Sequence, residues 1–373
     1  MLSNMTRQEK PNLKRPLRRG WTTGACATAA TKAALTLLVR GESPDPVEIT
    51  LPKGERPCFA LAIEEHGKDQ GVDWARVGII KDAGDDPDVT HGALIVSTVR
   101  WGAPGNGIRF LAGPGVGTVT RAGLPVPPGQ PAINPVPRKL MTEVIEEVSR
   151  NYGCGLDVTI EITVPGGEEL AKKTWNPRLG IEGGLSILGT TGIVHPFSCS
   201  AWIHSIRSGI DVARAAGLKR VCGATGSTSE ATAQTLLGLP DMAMLDMGDF
   251  VGGMLKYLRQ NPVPIVVIAG GFAKMTKLSQ GFMDLHSGRS QVDFQWLADR
   301  SRELGGDEAL AQRILTANTA AEVLGLCQAA KLDIARVVGV GACQAALDVL
   351  RNTDMQVEVL VVGRAGEVLA HVT

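Results

Sequence analysis

The chain is short of aromatic residues, of paired cysteines and of any excess of one charge. Aromatics make up 4% of its 373 residues. Platforms for single-stranded nucleic acid are built from aromatic faces, so that partner is not expected. Thirty-eight basic residues face 38 acidic ones, which leaves no global field to draw nucleic acid or an anionic membrane. The seven cysteines (26, 58, 154, 199, 222, 327, 343) form no C-x-x-C pair, and no His/Cys group has zinc spacing. They read as reduced thiols of a cytoplasmic protein, and no resident metal is expected. No apolar run is long enough to span a bilayer. The first twenty residues are polar, lack the apolar segment of a secretory signal and read as a frayed arm. The Walker A loop, the G-x-S-x-G elbow and a strand-linked G-x-G-x-x-G are all missing.

Glycine is what the chain has in quantity, 45 residues of it. The length predicts about two domains. Thr22, Thr23 and Gly24 precede an alanine-rich helix, Ala25 to Val39, stopped at Gly41. Strand patterns follow at Val47–Leu51, Cys58–Ile63, Arg76–Ile80, Ala93–Val99 and Ile108–Leu111, spaced as in a mostly antiparallel sheet. A proline-rich loop spans Pro125 to Pro137, then comes a helix at Arg138–Asn151 and a strand at Leu156–Val164. Residues 1–180 therefore read as an α+β domain.

Beyond a boundary near residue 180, apolar runs alternate with helical patterns. The runs are Leu185–Leu188, Leu218–Cys222, Met242–Leu245 and Pro264–Ala269. The helices are Ala201–Ala216, Thr228–Leu237, Phe250–Arg259 and Met275–Gln280. Alternation of this kind predicts a Rossmann-like α/β domain over 181–373, with a mainly parallel sheet and ligands at the strand C-termini. Further helices to Leu350 and a closing hairpin, Val357–Val362 with Glu367–Val372, complete it.

Four local patterns could carry chemistry. The stretch Leu185–Gly192 is an apolar run breaking into Gly189-Thr190-Thr191-Gly192, where backbone N–H groups can approach a ligand closely. Val221–Glu230 runs into Gly223-Ala224-Thr225-Gly226 and then a helix start, with Ser227 and Glu230 spaced as a capping box. The loop Lys81–Asp88 holds four aspartates, which suit a charge site and equally suit a solvated turn. Lys274, Lys277, His286 and Arg289 form a basic cluster that could hold carboxylates or simply face water. Gly113–Gly117 is glycine-rich but has the spacing of a turn rather than of a nucleotide loop.

Several long strings, in order, carry a resemblance. They are RRGWTTGACATAA (Arg18–Ala30), KDAGDDPDVT (Lys81–Thr90), GPGVGTVTRAGL (Gly113–Leu124), PAINPVPR (Pro131–Arg138), KTWNPRLGIEGGLSILGTTGIVHP (Lys173–Pro196), GDFVGG (Gly248–Gly253), KLSQG (Lys277–Gly281) and His286-Ser287. With these the chain resembles the cobalt-precorrin-5B C1-methyltransferase family of anaerobic cobalamin biosynthesis, over residues 18 to 290.

The resemblance implies S-adenosylmethionine as methyl donor and a cobalt-containing, polycarboxylate tetrapyrrole as acceptor, methylated at C1 to give cobalt-precorrin-6A. It implies that Gly189, Thr190, Thr191 and Gly192, with Gly223, Thr225 and Gly226, line the donor pocket. Asp82, Asp85 and Thr23 would act on the reacting pair. Arg18, Arg19, Arg121, Arg138, Lys274, Lys277 and His286 would meet the carboxylates. In-line methyl transfer needs the two carbons brought to about 3–3.5 Å and little covalent chemistry from the protein, which agrees with the missing nucleophile motifs. The sequence is compatible with a homo-oligomer. An NAD(P)H-dependent tetrapyrrole reductase and a non-catalytic tetrapyrrole-binding protein are the alternatives, and the reductase is opposed by the missing dinucleotide fingerprint.

Overall fold

The computed structural model describes residues 16–351 and 353–373. The expected polar arm falls mainly on residues 1–15, outside the described residues. The described chain is mixed α/β and divides into two compact units. One holds residues 16–116, 132–170 and 185–198; the other holds 117–131, 171–184 and 199–373. The chain thus passes between the units several times, where the sequence suggests a single boundary near 180.

The first unit is a five-stranded sheet with two long helices. Its strands are β1 (Ile63–Asp69), β2 (Val72–Ile80), β3 (Leu94–Trp101), β4 (Ile108–Ala112) and β5 (Val158–Thr163), in the order β1-β2-β3-β5-β4. All pairs are antiparallel except β5 with β4. Val158, Ile160 and Ile162 of β5 are fully buried and alternate with partly exposed residues, so one face of the sheet makes the core.

Helix α1 (Thr23–Arg40) lies on that face and packs against α2 (Pro135–Tyr152). Its start and stop follow from the sequence: the Thr22 hydroxyl accepts from the Ala25 N–H (3.2 Å), and Gly41 closes it with a left-handed φ of 79°. Alanine lets it approach the sheet closely. Its buried threonines are satisfied by donating to the carbonyl four residues back, Thr28 to Gly24 (2.8 Å) and Thr31 to Ala27 (2.7 Å).

The second unit contains α3 (Cys199–Ala215), β6 (Arg220–Ala224), α4 (Ser227–Leu237), β7 (Met244–Asp246), α5 (Val251–Gln260), β8 (Ile265–Gly271) and α6 (Phe272–Ser279). Then follow α7 (Phe294–Glu303), α8 (Glu308–Leu315), α9 (Ala320–Ala329), α10 (Ile334–Leu350), β9 (Gln356–Val362) and β10 (Val368–Val372). The sheet order is β7-β6-β8-β9-β10, with the first four strands parallel and β10 antiparallel. Val221, Val266, Ile268 and Val359 join the helices of one face, whereas Cys222, Val267, Ala269 and Leu360 pack with Ala233 of α4 on the other. Both faces are therefore covered, which is why these strands read as continuous apolar runs.

The arginine inside the Leu218–Cys222 run has a partner. Arg220 of β6 pairs with Glu358 of β9 (2.6 Å), which also meets His371 (3.1 Å). Segment 291–373, without recognisable strings, supplies the fourth parallel strand.

Two expectations are corrected. Leu185–Leu188 is not a strand of the parallel sheet: only Gly184–Leu185 is extended, and Leu185 onward belongs to the first unit. Its backbone is claimed elsewhere, since the Ile187 N–H donates to Ala132 (2.8 Å) and the Ile187 carbonyl accepts from Asn134 (2.9 Å). The Ser227/Glu230 capping box does not form either. Gly226 occupies the cap position, and the Glu230 carboxylate turns away to pair with Arg178.

Candidate functional site

Each unit carries one constellation. In the first unit, three glycine-containing segments converge on the start of α1. Gly20–Trp21 pairs antiparallel with Ile193–Val194. The Trp21 N–H donates to the Asp82 carbonyl (2.7 Å), the Thr22 N–H to Gly192 (3.0 Å) and the Gly24 N–H to Leu188 (2.9 Å). The Thr23 hydroxyl accepts from the Leu188 N–H (2.9 Å) and lies 3.3 Å from its carbonyl. Glycine is required here by close approach. A Cβ on Gly20 would fall inside the Ala83 backbone, and one on Gly189 (φ 131°) inside Thr22. The structure therefore brings Thr23, Asp82, Gly189 and Gly192 onto one framework, with Thr190 exposed at its rim.

The four aspartates of the loop are all engaged. Asp82 holds the Arg18 guanidinium through both oxygens and accepts from the Gly84 N–H (2.9 Å). Asp85 accepts from the Arg18 N–H (2.6 Å), and its own N–H returns to the Arg18 carbonyl (2.9 Å). Asp86 accepts from the Phe197 N–H (2.8 Å). Asp88 pairs with the buried Lys81 ammonium (2.6 Å) and accepts twice from Thr90 (2.7 and 2.6 Å). The Arg18 guanidinium beside Asp82 holds its carboxyl at about 2, well below the usual range. Asp82 is thus a fixed negative charge at neutral pH and a weak proton acceptor. Among the described residues, no group of three or more His, Cys, Asp or Glu side chains could hold a metal ion.

Arg19 is exposed in the same unit. Arg138, near the start of α2, lies over the Phe110 ring (5.4 Å) and donates from Nε to the Ile133 carbonyl (2.8 Å). Gly113–Gly117 has a packing role: a Cβ on Gly115 would strike the Val164 carbonyl.

In the second unit the site is the C-terminal edge of the parallel sheet. The chain leaves β6 toward β7 on one side and continues to β8 on the other, so the strand order reverses between β6 and β8. Loops diverge at such a point and leave a crevice. A cleft of about 680 Å³ lies there, bounded by Thr225–Ser229, Gly271–Lys274, Thr319–Ala321 and Val362–Arg364. Thr225 and Gly226 line it; Gly223 does not, because it sits within β6 against Met254 and Met247.

Lys274 ties the cleft together, donating to the Thr225 carbonyl (2.9 Å) and pairing with Asp249 (3.0 Å). Arg178 and Glu230 form a second ion pair, with Arg178 over the Trp175 ring (5.7 Å). Burial and the nearby Glu230 charge raise the pKa of Asp246, at the end of β7, while Arg178 and Lys274 oppose that rise.

The basic cluster is less open than its sequence suggests. Lys277 is buried, donates to the Leu285 carbonyl (3.0 Å), and its pKa is pulled down chiefly by burial. His286 is exposed, its Nδ1 accepting from the Gly288 N–H (3.1 Å), and Arg289 pairs with Asp284 (2.6 Å). Arg121 packs over Gly180 and donates to the Arg178 carbonyl (3.5 Å).

Sequence reading missed the far wall of the cleft, which comes from the segment without recognisable strings. It also missed Arg178 and Asp249 as partners of Glu230 and Lys274. Arg178 stood in a quoted string, but nothing local shows its partner, 52 positions away.

Among the described residues no helix is long and apolar enough to cross a membrane. A family model described as CbiD matches residues 10–196, and a second, described as CbiD, C-terminal domain, matches 284–373. A curated cobalt-precorrin-5B C(1)-methyltransferase of Brucella anthropi is 62% identical over 363 residues, covering 97% of this chain and 98% of the relative. One of Brucella abortus is 62% identical over 359 residues, covering 96% of each. The crystal structure of a cobalamin biosynthesis protein (cbiD) from Archaeoglobus fulgidus has 28% identity and a TM-score of 0.39, covering 78% of this chain and 85% of that one. By the family matches and by similarity along nearly its whole length, this chain belongs to the CbiD family.

Proposed function

We propose that this chain is a cobalt-precorrin-5B C(1)-methyltransferase of cobalamin biosynthesis, acting in the cytoplasm with S-adenosylmethionine as donor. The observation that carries the reading is the 62% identity, over nearly the full length of both chains, to relatives bearing that name. The donor supplies a methyl group on a cationic sulfonium. Carbon C1 of the macrocycle takes the methyl, the carbon–sulfur bond breaks, and its electron pair stays on sulfur.

The second unit, read as a Rossmann-like domain, offers the donor site. Thr225, Gly226 and Gly271 would lie against it at the strand reversal. The start of α4 suits an anionic group, and the negative charges of Glu230 and Asp246 nearby suit a cation. The first unit, read as the α+β domain, offers groups for the tetrapyrrole: Arg18, Arg19 and Arg138 for carboxylates, with Thr23, Asp82, Asp85 and the Gly189–Gly192 loop shaping the surface. Within the second unit Arg121, Lys274 and His286 carry positive or polar character, whereas Lys277 is buried against the Leu285 carbonyl. No feature favours the reductase reading.

Isothermal titration with S-adenosylhomocysteine and with NADPH separates these readings. The expected result is saturable binding of the first and none of the second. Lys274→Met, which cuts the Thr225 and Asp249 links, should weaken S-adenosylhomocysteine by about tenfold. Binding of NADPH alone would overturn the proposal.

A further inference from the structure

Phe197 is placed where neither packing nor backbone preference asks for phenylalanine. Its side chain is 67% exposed and stands outside the buried core residues. Its φ is +56°, in the left-handed region that costs a bulky residue free energy and suits glycine. The conformation is held from outside, because the Phe197 N–H donates to Asp86 (2.8 Å). Asp85, immediately before Asp86 on the same loop, fixes the Arg18 backbone (2.6 Å), and Asp82 fixes the Arg18 guanidinium. One loop therefore anchors the backbone of an exposed phenylalanine and both the backbone and the guanidinium of an exposed arginine. Asp82 occupies two of the five guanidinium N–H donors, and the others remain for a second acceptor.

We infer that Phe197 and Arg18 are a recognition pair for the macrocycle, the ring stacking on its flat face and the guanidinium taking a peripheral carboxylate. Phe197 is a positioning residue; it does no chemistry. A flat, apolar ring edged with carboxylates complements this pair in both shape and charge. The inference rests on the proposed function for the identity of the macrocycle. The loop spends three of its aspartates on displaying these two residues. That gives the aspartate-rich string a purpose other than metal binding or proton transfer.

The test uses the full-length chain and an absorption titration with cobalt-precorrin-5B, followed by steady-state methyl transfer. Phe197→Gly removes the ring and keeps the left-handed backbone. It should raise the macrocycle Kd and KM about tenfold, leave kcat within about twofold, leave S-adenosylhomocysteine affinity unchanged, and keep or raise the melting temperature. Phe197→Tyr should restore wild-type binding. Unchanged macrocycle affinity in Phe197→Gly, or a parallel loss of donor affinity and thermal stability, would overturn the inference, as would a wild-type protein that binds no macrocycle. If the wild type binds the macrocycle but transfers no methyl group, the proposed function fails while the titration still decides the role of Phe197.

Discussion

A carboxylate's chemistry depends on what it already holds. The four aspartates of Lys81–Asp88 suit, as a string, a charge site or a solvated turn. In the folded chain each has a cation or a backbone N–H as partner. Asp82, at about 2, lies below the ordinary aspartate value of about 3.9. Its pairing with Arg18 is therefore fully formed above the unfolded value and is lost as pH falls toward 2. A carboxyl NMR titration should place the Asp82 midpoint near 2 in the wild type and clearly higher in Arg18→Gln, where the Gly84 N–H alone still holds the carboxylate. A wild-type midpoint near 4 would mean that the pair does not form in solution. None of this was legible locally, because Arg18 and Asp82 are separated by 64 positions. What the sequence could show was that both lay in unusual strings.

Regular elements were legible wherever their period was clear and their ends were marked. Helix α1, with threonine before it and glycine after it, and the two-sided apolar strands β8 and β9 match the patterns that predicted them. Leu185–Leu188 failed because an apolar run of four residues does not specify its hydrogen-bond partner. The N–H of Asn134 and the carbonyl of Ala132 supplied one far along the chain. Glu230 failed as a cap because an ion pair with Arg178 competes with the cap for the same carboxylate.

Close glycine contacts set the geometry between segments of the first unit. Gly20 lies against the Ala83 backbone, which has no flexible atom to move aside. Gly20→Ala should cost about 2–3 kcal/mol in urea-induced unfolding. A loss under about 0.5 kcal/mol, within the range of ordinary surface changes, would show that the loop shifts freely.

At the scale of the whole molecule, the α/β class and the parallel character of the second sheet could be read from alternation of strand and helix. The strand order could not. It depends on β7 docking outside β6 and on β9, from a segment with no recognisable string, completing the sheet beside β8. That order creates the strand reversal and with it the cleft, so the donor site proposed here is a property of topology as much as of its glycines. The exchange of segments between units also lay beyond the sequence. The long string Lys173–Pro196 is continuous in sequence, yet residues 171–184 belong to one unit and 185–198 to the other.

The central claim is methyl transfer to carbon C1. Purified protein should be incubated with cobalt-precorrin-5B and S-adenosylmethionine carrying a carbon-13 methyl group, and the product examined by mass spectrometry and carbon-13 NMR. The expected result is one labelled methyl per macrocycle, bonded at C1, with one S-adenosylhomocysteine released for each. Label at another carbon, or an unmodified macrocycle beside intact donor, would contradict it.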